Sequence, residues 1–171
     1  MWAAYPHPPN SAFQTYGLNF ALNESFAGRP DYFSRSAEGA GIANTEIPWV
    51  FSSGCRGISS CEIPLLKPEE GPGTYTVRLY FADTENTGPG QRVFSVKIQD
   101  KKRLDDFDII AEAGAPNTAV IKEFKSVKVE TGLRFEFIPR KGELKKNEEP
   151  ILIGVEVIRE DGVGTMARAV E

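Results

Sequence analysis

The chain has 171 residues with a net charge of −4 at neutral pH, and 40% of them are hydrophobic against 26% charged. That is enough for one domain with a core that needs no staples, and it argues against disorder. A sequence pI near 5.2 gives no basic footprint for nucleic acid or anionic lipid, and the small clusters Lys101-Lys102-Arg103 and Lys145-Lys146 read as solvated loop.

Residues 1–30 are rich in Pro and Asn and read as an irregular segment that wraps the domain or supplies an edge strand, with a short strand candidate in GLNFAL. MWAAYPHPPNSAF has no charged start followed by an apolar run, so it is not a signal peptide. With Trp2 and Tyr5 so near the start, Met1 is expected to be a start added to a domain of a longer parent. PWVFSS and SCEIPLL are further strand candidates, and the only two cysteines are Cys55, between them, and Cys61, inside the second, separated by five residues. They either close a small disulfide loop, as in an exported protein, or stand as semi-buried free thiols. They do not form a metal site, since zinc takes about four ligands and the sole histidine, His7, is remote.

Period-two alternation begins clearly at YTVRLYFAD, where Tyr75, Val77, Leu79 and Phe81 share one face and Thr76, Arg78 and Tyr80 the other. RVFSVKI places Phe94, Val96 and Ile98 inward and Arg92, Ser95 and Lys97 outward, with Val93 breaking the pattern. FDIIAEA and AVIKEFKSVKVE are strand candidates, and LRFEFI puts Leu133, Phe135 and Phe137 inward. ILIGVEVI is apolar on both faces and reads as a central strand between two layers, followed by a loose tail at 161–171. No stretch of ten or more residues has helical periodicity, and Gly, Pro, Asn and Asp punctuate the runs. The class is all-β: an antiparallel β-sandwich of jelly-roll type, one domain over 1–160.

The chemistry available to such a domain is narrow. One histidine, set in YPHPP, and the absence of GxSxG, HExxH and Walker-type motifs argue against an enzyme. The densest carboxylates, Asp105, Asp106 and Asp108 in one run and Glu148 and Glu149 in another, read as solvated or backbone-bonded acids flanking strands rather than as a glycosidase pair. In the loop DTENTGPGQ, Asp83, Glu85 and Asn86 offer oxygen ligands that suit calcium, although the loop lacks EF-hand spacing, and a solvated turn is the default. A sugar site needs exposed rings beside amides or carboxylates. Phe81, Phe94, Phe135 and Phe137 belong to the core pattern, which leaves Tyr32, Phe33 and Trp49, in irregular sequence, as stacking candidates.

The ordered run GTYTVRLYFAD, GQRVFSV, DDFDI, LRFEFIPRKG and EEPILIGVEV, from about Gly73 to Arg159, resembles the malectin and malectin-like family, which includes the carbohydrate-binding modules of family 57. PWVFSSGCRGISSCEIPL is similar to bacterial, planctomycete-type members, which are parts of long exported proteins. The resemblance implies a jelly-roll sandwich that binds glycans through loops at one end. Animal members hold a glucose-terminated oligosaccharide with loop aromatics and an aspartate. Here the corresponding second loop, DTENTGPGQ, has no aromatic residue; Tyr32 falls near the early aromatic loop, and Glu148 matches the acid before the closing strand. The function this implies is a non-catalytic carbohydrate-binding module of a larger exported protein, extracellular, periplasmic or at the cell surface. Its glycan-contacting residues would come from Tyr32, Phe33, Trp49, Asp83, Glu85, Asn86 and Glu148. The alternative is a structural or protein-interaction module that keeps the fold and pairs with another domain of the parent. Neither reading involves nucleic acid, membrane insertion or a cofactor beyond structural calcium.

Overall fold

A computed structural model describes residues 23–36 and 41–160. The readings made for residues 1–22, including His7 and GLNFAL, and for the tail at 161–171 lie outside the described residues. Among the described residues, nine strands build two antiparallel sheets: β1 (Asn23–Ser34), β2 (Ser53–Pro64), β3 (Gly73–Phe81), β4 (Val93–Ile98), β5 (Lys101–Asp108), β6 (Val120–Val129), β7 (Gly132–Pro139), β8 (Ile151–Leu152) and β9 (Gly154–Arg159). The larger sheet runs β1-β2-β7-β4-β5, with β8 added beside the first half of β2, and the smaller runs β6-β3-β9.

The alternating apolar faces become the layer between the sheets. Val77, Leu79 and Phe81 of β3 face Phe94, Val96, Leu133, Phe135 and Phe137 of the larger sheet, all essentially without solvent contact. Phe81, Phe94, Phe107 and Phe137 form one aromatic knot, with centroid separations of 5.0 to 6.3 Å. Each such side chain contributes roughly 1.5–3 kcal/mol of burial.

Four readings of local structure are corrected. PWVFSS is no strand: Pro48–Ser52 forms a 3₁₀ turn, because Pro48 presets φ for a helical start and donates no N–H to a ladder. FDIIAEA splits, with Phe107 and Asp108 ending β5 and Ile109–Ala113 forming a short helix, α1. The Asp108 carboxylate accepts from the N–H groups of Ile110 and Ala111, and Gly114 closes the helix in the left-handed region. ILIGVEVI is not a central strand. It leaves the large sheet as β8, against β2, and enters the small one as the edge strand β9, against β3, so its two apolar faces reflect a change of sheet.

The fourth correction concerns the outward faces of β3 and β4. Thr76 and Tyr80 were expected to be solvent-facing and are buried. Tyr80 lies under a second apolar cluster with Val50, Phe51, Ala82 and Ala119, so the segment leading into the 3₁₀ turn roofs one end of the small sheet. Arg92, just before β4, and Ser95 within it, also expected outward, are 1% and 7% exposed, Ser95 being covered where its hydroxyl meets Asp105 and the Asp106 N–H.

Cys55 and Cys61 are both buried free thiols on β2, so the short disulfide is not formed. They occupy separate rungs of the same strand, Cys55 opposite Tyr32 and Cys61 opposite Glu24. Burial, with the nearby Glu24 carboxylate adding to it, pushes both thiols up to about 12.

Candidate functional site

The β3–β4 loop is shaped from its first residue. Asp83 Oδ1 accepts the backbone N–H groups of Glu85 and Asn86, each at 3.1 Å, an Asx turn that folds the chain back just after β3. Asn86 Nδ2 then donates to Asp83 Oδ2 at 2.8 Å and to the Asn147 carbonyl at 2.7 Å, while Asn147 Nδ2 donates to Asn86 Oδ1 at 2.8 Å. Reciprocal amide pairing therefore ties this loop to the loop between β7 and β8. Asp83 and Asn86 are almost fully buried, and their polar atoms are spent inside the fold.

Beneath the loop lies a lattice of charges. Glu85 receives Arg56 through Nε at 3.0 Å and Nη2 at 2.5 Å, and Arg92 through Nη2 at 2.7 Å. Arg92 Nη1 stands 3.1 Å from Asp83 Oδ1, without the alignment of a hydrogen bond, so Glu85 is its stronger partner. Arg56 also pairs with Asp31 at the end of β1, and Lys146 reaches the same carboxylate at 3.0 Å. Three cations thus meet three anions, and the two guanidinium groups are only 4% and 1% exposed. Hydrogen bonding by Lys146 is the largest influence holding the Asp31 carboxyl below its usual range, opposed by burial and reinforced by Arg56.

The three candidate aromatics meet different surroundings. Phe33 is half-buried under two guanidinium groups, with Arg35 at 5.2 Å and Arg56 at 5.5 Å from its ring centre, and Arg35 in turn donates to Thr84 on the β3–β4 loop. Tyr32 packs edge-on against Phe26 at 5.7 Å and donates its hydroxyl to Glu24. Trp49 is 49% exposed. Its mount is rigid: Val50 and Phe51 on the same 3₁₀ turn are buried, Phe51 meets Tyr80 edge-on at 6.0 Å, and Ser52 donates to the Trp49 carbonyl at 2.6 Å.

Glu148 caps the turn at Lys146–Glu148, accepting from the Lys145 N–H at 3.0 Å and from Lys141 at 3.3 Å. These two contacts, the backbone one first, lower its pKa. Among the described residues no group of three or more His, Cys, Asp or Glu is arranged to hold a metal ion. The oxygen ligands considered for calcium, Asp83, Glu85 and Asn86, have arginine and amide partners instead.

The structure thus joins Asp83, Glu85, Asn86 and, through Arg56, Phe33 in one cluster, with Glu148 on the neighbouring loop and Tyr32 packed against Phe26. Sequence reasoning missed Asp31, Arg56, Arg92 and Asn147. The one available signal was Arg56, the lone cation of its strand, set between Cys55 and Gly57-Ile58, where a charge needs a buried partner.

Comparison with known proteins decides the family, since the malectin domain model matches residues 10–153. The chain belongs to the malectin domain family. This malectin domain is 34% identical over 103 residues to a probable receptor-like protein kinase of Arabidopsis thaliana, covering 55% of this chain and 13% of the kinase. A probable leucine-rich repeat receptor-like serine/threonine-protein kinase of the same plant is 37% identical over 60 residues, covering 32% of this chain and 6% of that protein. The match therefore spans only a small part of either relative.

Solved structures share the fold. The ANX2 ectodomain from Arabidopsis thaliana superposes with a TM-score of 0.61 at 13% identity, over 80% of this chain and 41% of that one. A chain from the complex of the plant peptide RALF23 with FER and LLG2 gives 0.60 at 17%, over 80% and 40%. A Bacteroides uniformis β-glucuronidase gives 0.59 at 15%, over 80% and 14%. At such identities the likeness is one of fold. No helix among the described residues is long and apolar enough to cross a membrane.

Proposed function

We propose that this malectin domain is a non-catalytic glycan-binding module at the loop end of its sandwich, working outside the cytoplasm as one part of a larger protein. The observation that carries the reading is Trp49: of the three candidate rings it alone offers about half its surface, on a turn pinned by Val50 and Phe51. A rigid, half-exposed indole suits the apolar face of a sugar. In this assignment Asp83, Glu85 and Asn86 hold the loop in shape, and Phe33 belongs to the arginine lattice beneath it. The commitment of those carboxylates to guanidinium partners also disfavours a general acid or base among them. The long receptor-like relatives are consistent with a domain carried in an exported chain.

Affinity gel electrophoresis in neutral polysaccharides tests this. The wild-type domain is expected to be retarded by at least one polymer and Trp49→Ala to migrate freely; equal retardation of the two would remove Trp49 from the site. A second reading, a module for a protein partner, is favoured by the internal use of the loop acids, and would show as absence of retardation in every polymer.

A further inference from the structure

Away from the loop end, the outer face of the larger sheet carries a concavity of about 510 Å³ across β1, β2 and β7, within the range of small-ligand sites. Register explains its shape. Ser25 lies opposite Ser60, Ser60 opposite Glu136, and Glu62 opposite Arg134, so short serines form the floor while long charged side chains form the wall. Gly132 adds room, because any side chain there would strike the Glu62 carboxylate.

The serines and Glu62 of this trough differ from the polar groups of the loop end in being uncommitted, whereas Glu24 holds the Tyr32 hydroxyl. The side chains of Ser25, Ser60 and Glu62 make no hydrogen bond or ion pair with the described residues. Arg134 has only a 3.7 Å approach to the highly exposed Asp100, while Glu136 pairs with Lys97 at 2.9 Å. Hydroxyl, carboxylate and guanidinium side by side form a donor and acceptor set that matches the vicinal hydroxyls of a sugar.

We propose that this trough is a second saccharide site, taking an internal stretch of a neutral polysaccharide chain across β1, β2 and β7. This rests on the reading of the domain as a glycan binder. Two outward carboxylates, Glu62 and Glu136, stand in the trough against the single guanidinium of Arg134, so uronate-bearing chains are repelled. The two sites are separate: the strand from Ser53 to Ser60 alone spans roughly 20 Å. A long chain can bridge them, which raises avidity without new contacts.

The test is an NMR titration of the ¹⁵N-labelled domain with neutral gluco- and manno-oligosaccharides and, in parallel, an oligouronate. Wild type, Trp49→Ala and the surface variants Arg134→Ala and Glu62→Ala are compared after thermal melts verify folding. Expected are shifts of the Ser25, Ser60, Glu62 and Arg134 amides with a neutral sugar, retained in Trp49→Ala and weakened about tenfold or more in the trough variants. Shifts confined to residues near Trp49 would overturn the trough and leave the loop-end reading standing. Trough shifts with the oligouronate alone would overturn the ligand chemistry, and no shift with any neutral sugar would overturn both readings.

Discussion

At the residue level, Glu85 faces two guanidinium groups that have almost no access to water, and each keeps one weaker partner if Glu85 is lost: Asp31 for Arg56, Asp83 for Arg92. Breaking a buried pair costs about 3–5 kcal/mol when nothing remains to neutralise the charge. With the residual partners, Glu85→Ala is expected to lower stability by roughly 2–3 kcal/mol in urea unfolding; a change within error would show the lattice to be dispensable. The thiols give a second check at this scale. With both pushed up to about 12 by burial, Cys55 and Cys61 are expected to ignore a thiol reagent at pH 8 until the chain is unfolded. Rapid labelling of the native domain would contradict their placement. The candidate residues themselves were partly legible: the acids of DTENTGPGQ stand out, but not their partners, because Arg92 fits an outward position in its strand pattern and nothing local shows that a loop will close over it.

Among the elements, alternation identified β3, β4 and β7 because each buries one face against the opposite sheet. It misread PWVFSS, FDIIAEA and ILIGVEVI, for three physical reasons. Pro48 starts a 3₁₀ turn, Asp108 supplies an N-cap, and Ile153 is the point where the chain changes sheets. The 3₁₀ turn also explains why the exposure of Trp49 was not readable: its neighbours Val50 and Phe51 roof Tyr80 while Trp49 turns outward. The contact between β1, β2 and β8 is tight at Gly54, where a Cβ would come within 2.7 Å of the Leu152 carbonyl and 2.8 Å of the Phe33 ring. One of these is backbone and cannot swing aside. Gly54→Ala is therefore expected to cost about 1–3 kcal/mol and to displace Phe33 from its arginines; thermal unfolding that matches wild type would refute that packing.

For the whole molecule, acid is the condition that reaches several fold-made carboxylate contacts together. Asp31, Glu148 and Glu160 are each held below the ordinary carboxyl range by partners made in the fold: Lys146 first for Asp31, the Lys145 N–H for Glu148, and the Ser126 N–H for Glu160. A depressed folded-state pKa contributes stability that is complete above the unfolded value, about 3.9 for Asp and 4.3 for Glu, and that is lost as pH falls through the folded value. Stability is thus expected to be level near neutrality and to decline below about pH 4, with a shallower decline in Asp31→Asn. An identical acid limb in that variant would remove Asp31 from the linkage. The fold that carries these contacts is the malectin sandwich, and its proposed role turns on one indole at the loop end. The most direct test displays the domain multivalently on a glycan array, so that weak single sites register, with Trp49→Ala beside it. Binding of a neutral glycan by wild type and its loss in the variant is the expected result; unchanged binding in Trp49→Ala, or none by wild type, would contradict the account.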